Sequence, residues 1–218
     1  MKIYFVCCTI LRNQYVEHMI PIFEALNDIN IKCSWLFINA NSNTDFSKDN
    51  TNLYIGNFLN FKVQNLPKKF IIINGEPINS WVGNSINHKL KLEKSFAIFH
   101  YNDADIPILK KLYNKSNIFY LPYAYHRSKV NMYNINYKIE EDIDVLFLGI
   151  SQLFPPNFGS HRVSVLNNLV KTDLKICITG INIPYIYGRE REILIRRAKI
   201  ILLINFYKNN IDTCRATY

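Results

Sequence analysis

Apolar residues in this chain fall into two alternating patterns. Short, nearly continuous runs are separated by longer segments in which apolar positions recur every three or four residues. That alternation is expected when buried parallel strands are connected by amphipathic helices. The runs predict strands over Lys2–Ile10, Lys32–Ile38, Phe70–Asn74, Phe96–His100 and Asn117–Leu121, with helices near Asn13–Leu26, Ile86–Lys94 and Ile106–Tyr113. Asn39–Asn52 is polar and predicts a loop, and Gly75-Glu76-Pro77 predicts a turn at the carboxyl end of an isoleucine run. Tyr123–Glu141 is polar and without apolar periodicity, as a linker would be. The alternation then resumes with strands expected over Asp144–Gly149, Leu174–Gly180 and Lys199–Tyr207, a β-α-β-α-β half-sheet of the kind that binds nucleotides at its strand ends. The expected fold class is α/β with two Rossmann-like domains, residues 1–135 and 136–218, the second one incomplete.

Composition narrows the class. Of the 218 residues 49% are hydrophobic, 14% aromatic and only 20% charged, which excludes a disordered chain and implies a filled interior. The formal charge of +9 raises the question of polyanion binding. Yet Lys68-Lys69, Lys110-Lys111, Arg189, Arg191, Arg196 and Arg197 are scattered along the chain rather than gathered in one arm. A solvated basic surface serving a phosphate-bearing small ligand fits better than nucleic acid. The five cysteines, Cys7, Cys8, Cys33, Cys177 and Cys214, have no C-x-x-C spacing and read as buried reduced thiols. No apolar run approaches the ~20 residues of a membrane span. Lys2–Leu11 lacks a small-residue cleavage site and reads as a first strand, so a cytoplasmic protein is expected.

More specific signals lie in local segments. Phe70-Ile-Ile-Ile-Asn-Gly-Glu-Pro77, His100-Tyr-Asn-Asp103, Tyr120–Tyr125, Asp144–Gly149, His161-Arg162 with Val165-Leu166, and Tyr187–Arg191 leading to Ala198–Leu202 share an order and spacing. In these the chain resembles the group 1 glycosyltransferases of GT-B fold, especially a branch known from giant viruses and microbes. The resemblance covers most of the chain from Phe70 onward, and the first sixty residues match in topology only. It implies metal-independent transfer of a sugar from a nucleotide-sugar donor to a hydroxyl of a glycan or small acceptor. No cofactor beyond that donor is implied.

Under this resemblance the second domain holds the donor through Gly149, Ser151, Arg162, Thr179, Gly180, Gly188, Arg191 and Asn205. A diphosphate suits glycine-bearing strand ends, helix amino termini and an arginine, with Arg162 the first choice. The first domain faces the acceptor with Glu76, Asp103 and His126 as catalytic candidates. For Arg162 a solvated helix-start position, for Gly149 a plain strand-ending turn, for Glu76 a plain turn beside Pro77, and for His126 plain solvation, stay open. Asp142-Ile-Asp144 has the D-x-D spacing of metal-dependent transferases of another fold, but these acids precede their strand and so lie away from the ligand-binding end. No metal is expected.

The chain also departs from the family pattern. The turn between Gly149 and Arg162 is longer than usual, and Leu203 and Asn205 stand where relatives typically carry Asn and His. Relatives continue past Thr213–Tyr218 into an acidic residue that grips the donor ribose. These departures motivate a second reading, a non-catalytic GT-B-derived module that binds a glycan or assembles with another transferase.

Overall fold

The computed structural model describes residues 1–8, 12–38, 44–58, 60–75, 77–78, 80, 83–122, 135, 137–149, 151, 160–186 and 188–204, with backbone alone for Cys8 and residues 12–18. The chain divides into two compact units, residues 1–129 and 130–218. Each contains an all-parallel sheet.

In the first unit the elements are β1 (Ile3–Cys8), α1 (Arg12–Asp28), β2 (Cys33–Ile38), β3 (Leu53–Gly56), β4 (Phe70–Asn74), α2 (Ile86–Lys94), β5 (Ala97–His100), α3 (Ile106–Tyr113) and β6 (Ile118–Tyr120). The strand order is β2-β1-β3-β4-β5-β6. The direction of winding therefore reverses between β1 and β3, the place where open α/β sheets form a crevice at their carboxyl ends. The apolar pattern gave no sign of β3. It is four residues long, and it exists because it pairs with β1 (Tyr54 beside Tyr4, Gly56 beside Val6) and with β4. The Tyr4 and Tyr54 rings stack with centroids 5.5 Å apart. A Cβ at Gly56 would stand 2.7 Å from the Val6 carbonyl oxygen, so only glycine allows β3 to lie this close to β1.

Alternation along the strands builds a core on each face. Ile72, Ile98 and Ile118 meet Leu92 of α2 and Leu109 of α3 on one side. Phe5, Ile55 and Ile73 meet Met19 of α1 on the other. Each such side chain contributes about 1.5–3 kcal/mol by leaving water. Helices α1 and α3 end on asparagines in the left-handed region, Asn30 (φ 62) and Asn114 (φ 48). Asn30 N donates to Asn27 O and Ile31 N to Leu26 O (2.9 and 2.8 Å), and Lys115 N to Lys110 O (3.2 Å). The helices are thereby capped and the chain turned back into the next strand.

The second unit comprises β7 (Ile143–Phe147), α4 (Ser160–Leu169), β8 (Ile176–Ile178), α5 (Gly188–Arg197) and β9 (Ala198–Ile201), with strand order β8-β7-β9. Its core is Phe147, Leu166 and Ile178, with Ile176, Leu202 and Ile204 packed against it. β9 stops at Ile201, earlier than the apolar run suggested. Ile135, in the expected linker, is buried and accepts a hydrogen bond from Arg196 Nη1 at 3.0 Å. Cys7 is buried, whereas Cys33 and Cys177 are partly exposed. The expectation of uniform burial fails for those two because β2 and β8 are edge strands of the described sheets.

Candidate functional site

At the carboxyl ends of β4 and β5 the pairing register sets Asn74 beside His100. Both are buried, as are His88 and Lys91 from α2. Asn74 Nδ2 lies 3.0 Å from His100 Nδ1, and His88 Nε2 lies 3.1 Å from Asn74 Oδ1. His100 Nε2 is 3.0 Å from Asp105 Oδ2, which also accepts from Ile78 N at 3.2 Å. The Asp105 carboxylate calls for a proton on His100 Nε2, and Nδ1 lies beside the Asn74 side-chain amide. Nδ1 is also 2.9 Å from the Asn74 carbonyl oxygen, which would receive the second proton of an imidazolium. Burial, followed by the charges of Lys91 and His100, pulls the His88 pKa down to about 4. His88 therefore stays neutral near pH 7, donating from Nε2, and its buried Nδ1 has no hydrogen-bond partner among the described residues.

Lys91, one helical turn after His88, donates from Nζ to the Phe58 carbonyl at 2.9 Å. Phe58 follows β3 and holds a left-handed backbone (φ 53), costly for a residue with a bulky side chain. Burial draws the Lys91 pKa down to about 8. The carboxyl ends of β3, β4 and β5 thus carry buried polar groups that fix the loops leaving the sheet.

The predicted residues of this unit fare unevenly. Glu76 and His126 lie outside the described residues. Asp103 opens a 3-10 turn, Asp103–Asp105, and is exposed; Asp105, two positions on, is the acid that reaches His100. Asn74, His88, Lys91 and Asp105 were not anticipated. Asn74 and His100 each close an apolar run, a legible signal. His88 and Lys91 occupy the inward stripe of α2 with Leu92, where a polarity pattern gives them to solvent.

In the second unit, Gly149, Ser151, Thr179 and Gly180 come together at the carboxyl ends of β7 and β8. Thr179 Oγ1 lies 2.8 Å from Gly149 N, which donates to it, and 2.7 Å from Gly149 O, to which it donates. Thr179 N donates to Phe147 O at 3.1 Å, and Gly180 N to Ile183 O at 2.8 Å. Both glycine amides are therefore used internally. Ser151 Oγ is buried and has no hydrogen-bond partner among the described residues. Gly180 has φ +78, and a Cβ on it would lie 2.6 Å from Ser151 Oγ and 2.6 Å from the Tyr185 hydroxyl. Any side chain at Gly180 would collide with that serine hydroxyl and with the tyrosine.

Arg162 differs from expectation. Its side chain is 1% exposed, its Nε donates to Ile204 O at 2.9 Å, and its guanidinium lies 5.4 Å from the centroid of the Phe147 ring. It fastens the segment after β9 to α4 from inside the unit, where a buried cation is balanced by a carbonyl and a ring face. Gly188 (φ 64) opens α5 and Arg191 lies in that helix, half-buried; Asn205 is outside the described residues. Asp142 and Asp144 sit at the amino end of β7, paired with Arg197 Nε (2.7 Å) and Lys199 Nζ (2.7 Å). Among the described residues no group of three His, Cys, Asp or Glu is arranged to hold a metal, and no helix is long and apolar enough to cross a membrane. No family model matches the chain, and no curated protein or solved structure matches it.

Proposed function

We propose that this protein is a glycosyltransferase of GT-B type, moving a sugar from a nucleotide-sugar donor to a hydroxyl acceptor. The observation that carries the reading is Ser151. Its hydroxyl is buried, unpaired among the described residues and set against the side-chain-free Gly180 at the carboxyl end of a parallel sheet, the place where such sheets receive phosphate-bearing ligands. In the transfer the acceptor oxygen bonds to the anomeric carbon and loses its proton while the bond to the diphosphate oxygen breaks. Charge then grows on that departing oxygen, and a hydroxyl donor in a water-poor site stabilises it. In the first unit, the chain from His88 through Asn74 and His100 to Asp105 holds the strand ends that carry the acceptor side.

The test is a thermal-shift screen against UDP, GDP, their sugar conjugates and CMP-sugars, since a ligand binding only the folded state raises the midpoint. Ser151→Ala is the control, because Arg162→Ala would damage the core itself. A shift with one nucleotide, lost in Ser151→Ala and accompanied by sugar transfer, supports the proposal; no shift with any nucleotide refutes it. Binding without turnover would favour the non-catalytic module, a reading favoured by the enclosure of Arg162.

A further inference from the structure

Lysines that are far apart in the sequence share one edge of the first unit. All six strands of its sheet are parallel, so all begin on the same side, opposite the carboxyl ends discussed above. Lys2 immediately precedes β1, Lys32 precedes β2 and Lys68-Lys69 precede β4, while Lys94 closes α2 and Lys111 lies in the last turn of α3. Each of these lysines is exposed. Backbone hydrogen bonds link the amino ends into a row: Leu53 N to Lys2 O at 2.9 Å, Tyr54 N to Lys69 O at 3.1 Å and Phe96 N to Phe70 O at 2.8 Å. At roughly 4.8 Å between neighbouring strands, the row extends over about 25 Å. Ile3 pairs with Cys33, so Lys2 and Lys32 stand side by side as like charges. Among the acids on this side, Asp49 turns into its own loop, accepting from Thr51 N at 2.8 Å and Tyr54 Oη at 2.7 Å. Asp28 ends α1 and Glu93 lies in α2.

Apolar side chains project from the same edge. Ile29 and Ile31 lie on the turn before β2, Phe96 precedes β5 and Leu112 is in the last turn of α3. Their exposures are 64%, 38%, 62% and 56%. Lysines mixed with exposed aliphatic groups and one aromatic form the chemistry of a peripheral membrane surface, where the cations meet lipid headgroups and the apolar groups enter the interface. Nucleic-acid surfaces rely more on arginine forks and stacked aromatics. We propose that the amino edge of the six-stranded sheet binds anionic bilayer surfaces. This inference is independent of the proposed transferase activity, and it leaves the carboxyl ends of the strands facing away from the lipid.

The experiment is co-sedimentation of the full chain with phosphatidylcholine vesicles and with vesicles in which ~30% of the lipid is phosphatidylserine, enough to give a negative surface potential. Binding is expected to the second kind only and to weaken with salt. Lys68→Gln with Lys69→Gln should weaken it about 25-fold, at about fivefold per lysine near the surface. A second pair, Lys2→Gln with Lys32→Gln, gives the same readout if the first fails to fold. The charge-matched control Lys171→Gln with Arg189→Gln, in the other unit, should bind as the parent does. No sedimentation with anionic vesicles overturns the proposal, as does equal weakening by the control pair. Tighter retention on a single-stranded oligonucleotide than on vesicles at the same salt also overturns it.

Discussion

Acid should destabilise this protein through His88, by an amount that its surroundings set. The imidazole is 3% exposed, donates to Asn74 Oδ1 at 3.1 Å and has its pKa lowered from 6.5 to about 4, chiefly by burial and then by the charges of Lys91 and His100. Because folding lowers this pKa, the unfolded chain takes up a proton between those two values while the folded chain does not. The penalty is absent above pH 6.5, grows as the pH falls and is complete near pH 4. At ~1.36 kcal/mol per pKa unit it reaches about 3 kcal/mol over the whole window and about 2.5 kcal/mol near pH 4.5. That is a large part of a typical domain stability of ~5–15 kcal/mol. The assay is urea unfolding near pH 7 and near pH 4.5 for the parent and for His88→Gln. The Gln amide nitrogen can occupy the place of Nε2 and does not titrate. The variant is expected to be weaker near pH 7 through altered packing, but the parent should lose about 2.5 kcal/mol more than the variant on acidification. Parallel losses in the two proteins, or a His88 titration midpoint near 6 by NMR, would refute the reasoning.

Two further outcomes follow from buried or constrained groups. Lys91→Met removes the donor to the Phe58 carbonyl and should lower stability by about 1–3 kcal/mol, the usual result of leaving a buried acceptor unpaired. Since folding lowers the Lys91 pKa to about 8, the parent should gain stability as the pH rises from there through 10.5, a gain missing from the variant in urea titrations. Gly180→Ala forces an alanine to φ +78 at roughly 1–2 kcal/mol and drives its Cβ against Ser151 Oγ and Tyr185 Oη. The midpoint of thermal unfolding should fall and any nucleotide-induced shift should vanish; a shift of parental size would remove Ser151 as the phosphate contact.

The strand-forming runs show where sequence reading reaches and where it ends. Phe70–Asn74 and Ala97–His100 are apolar enough to declare themselves, and their terminal Asn74 and His100 are visible as polar residues at a carboxyl strand end. Their alignment, and the arrival of His88 and Asp105 beside them, depend on register and on a helix packed from another part of the chain. Leu53–Gly56 is too short to show a period, although it creates the reversal in strand order. Arg162 was the expected phosphate ligand because a diphosphate suits an arginine near a helix start, with a solvated position there as the alternative. Its burial depends on the Phe147 ring and on the Ile204 carbonyl, 42 positions away.

By itself the sequence determined that apolar strands alternate with amphipathic helices in two parallel α/β units, because a residue's burial follows the local period of the element that contains it. Only the tertiary structure decided which strand ends meet, which cation lies inside and which unpaired hydroxyl faces a glycine. It also gathered Lys2, Lys32, Lys68, Lys69 and Lys94 onto one edge, because parallel strands start together however far apart they lie in the chain. Such juxtapositions join residues tens of positions apart, and no local pattern encodes them.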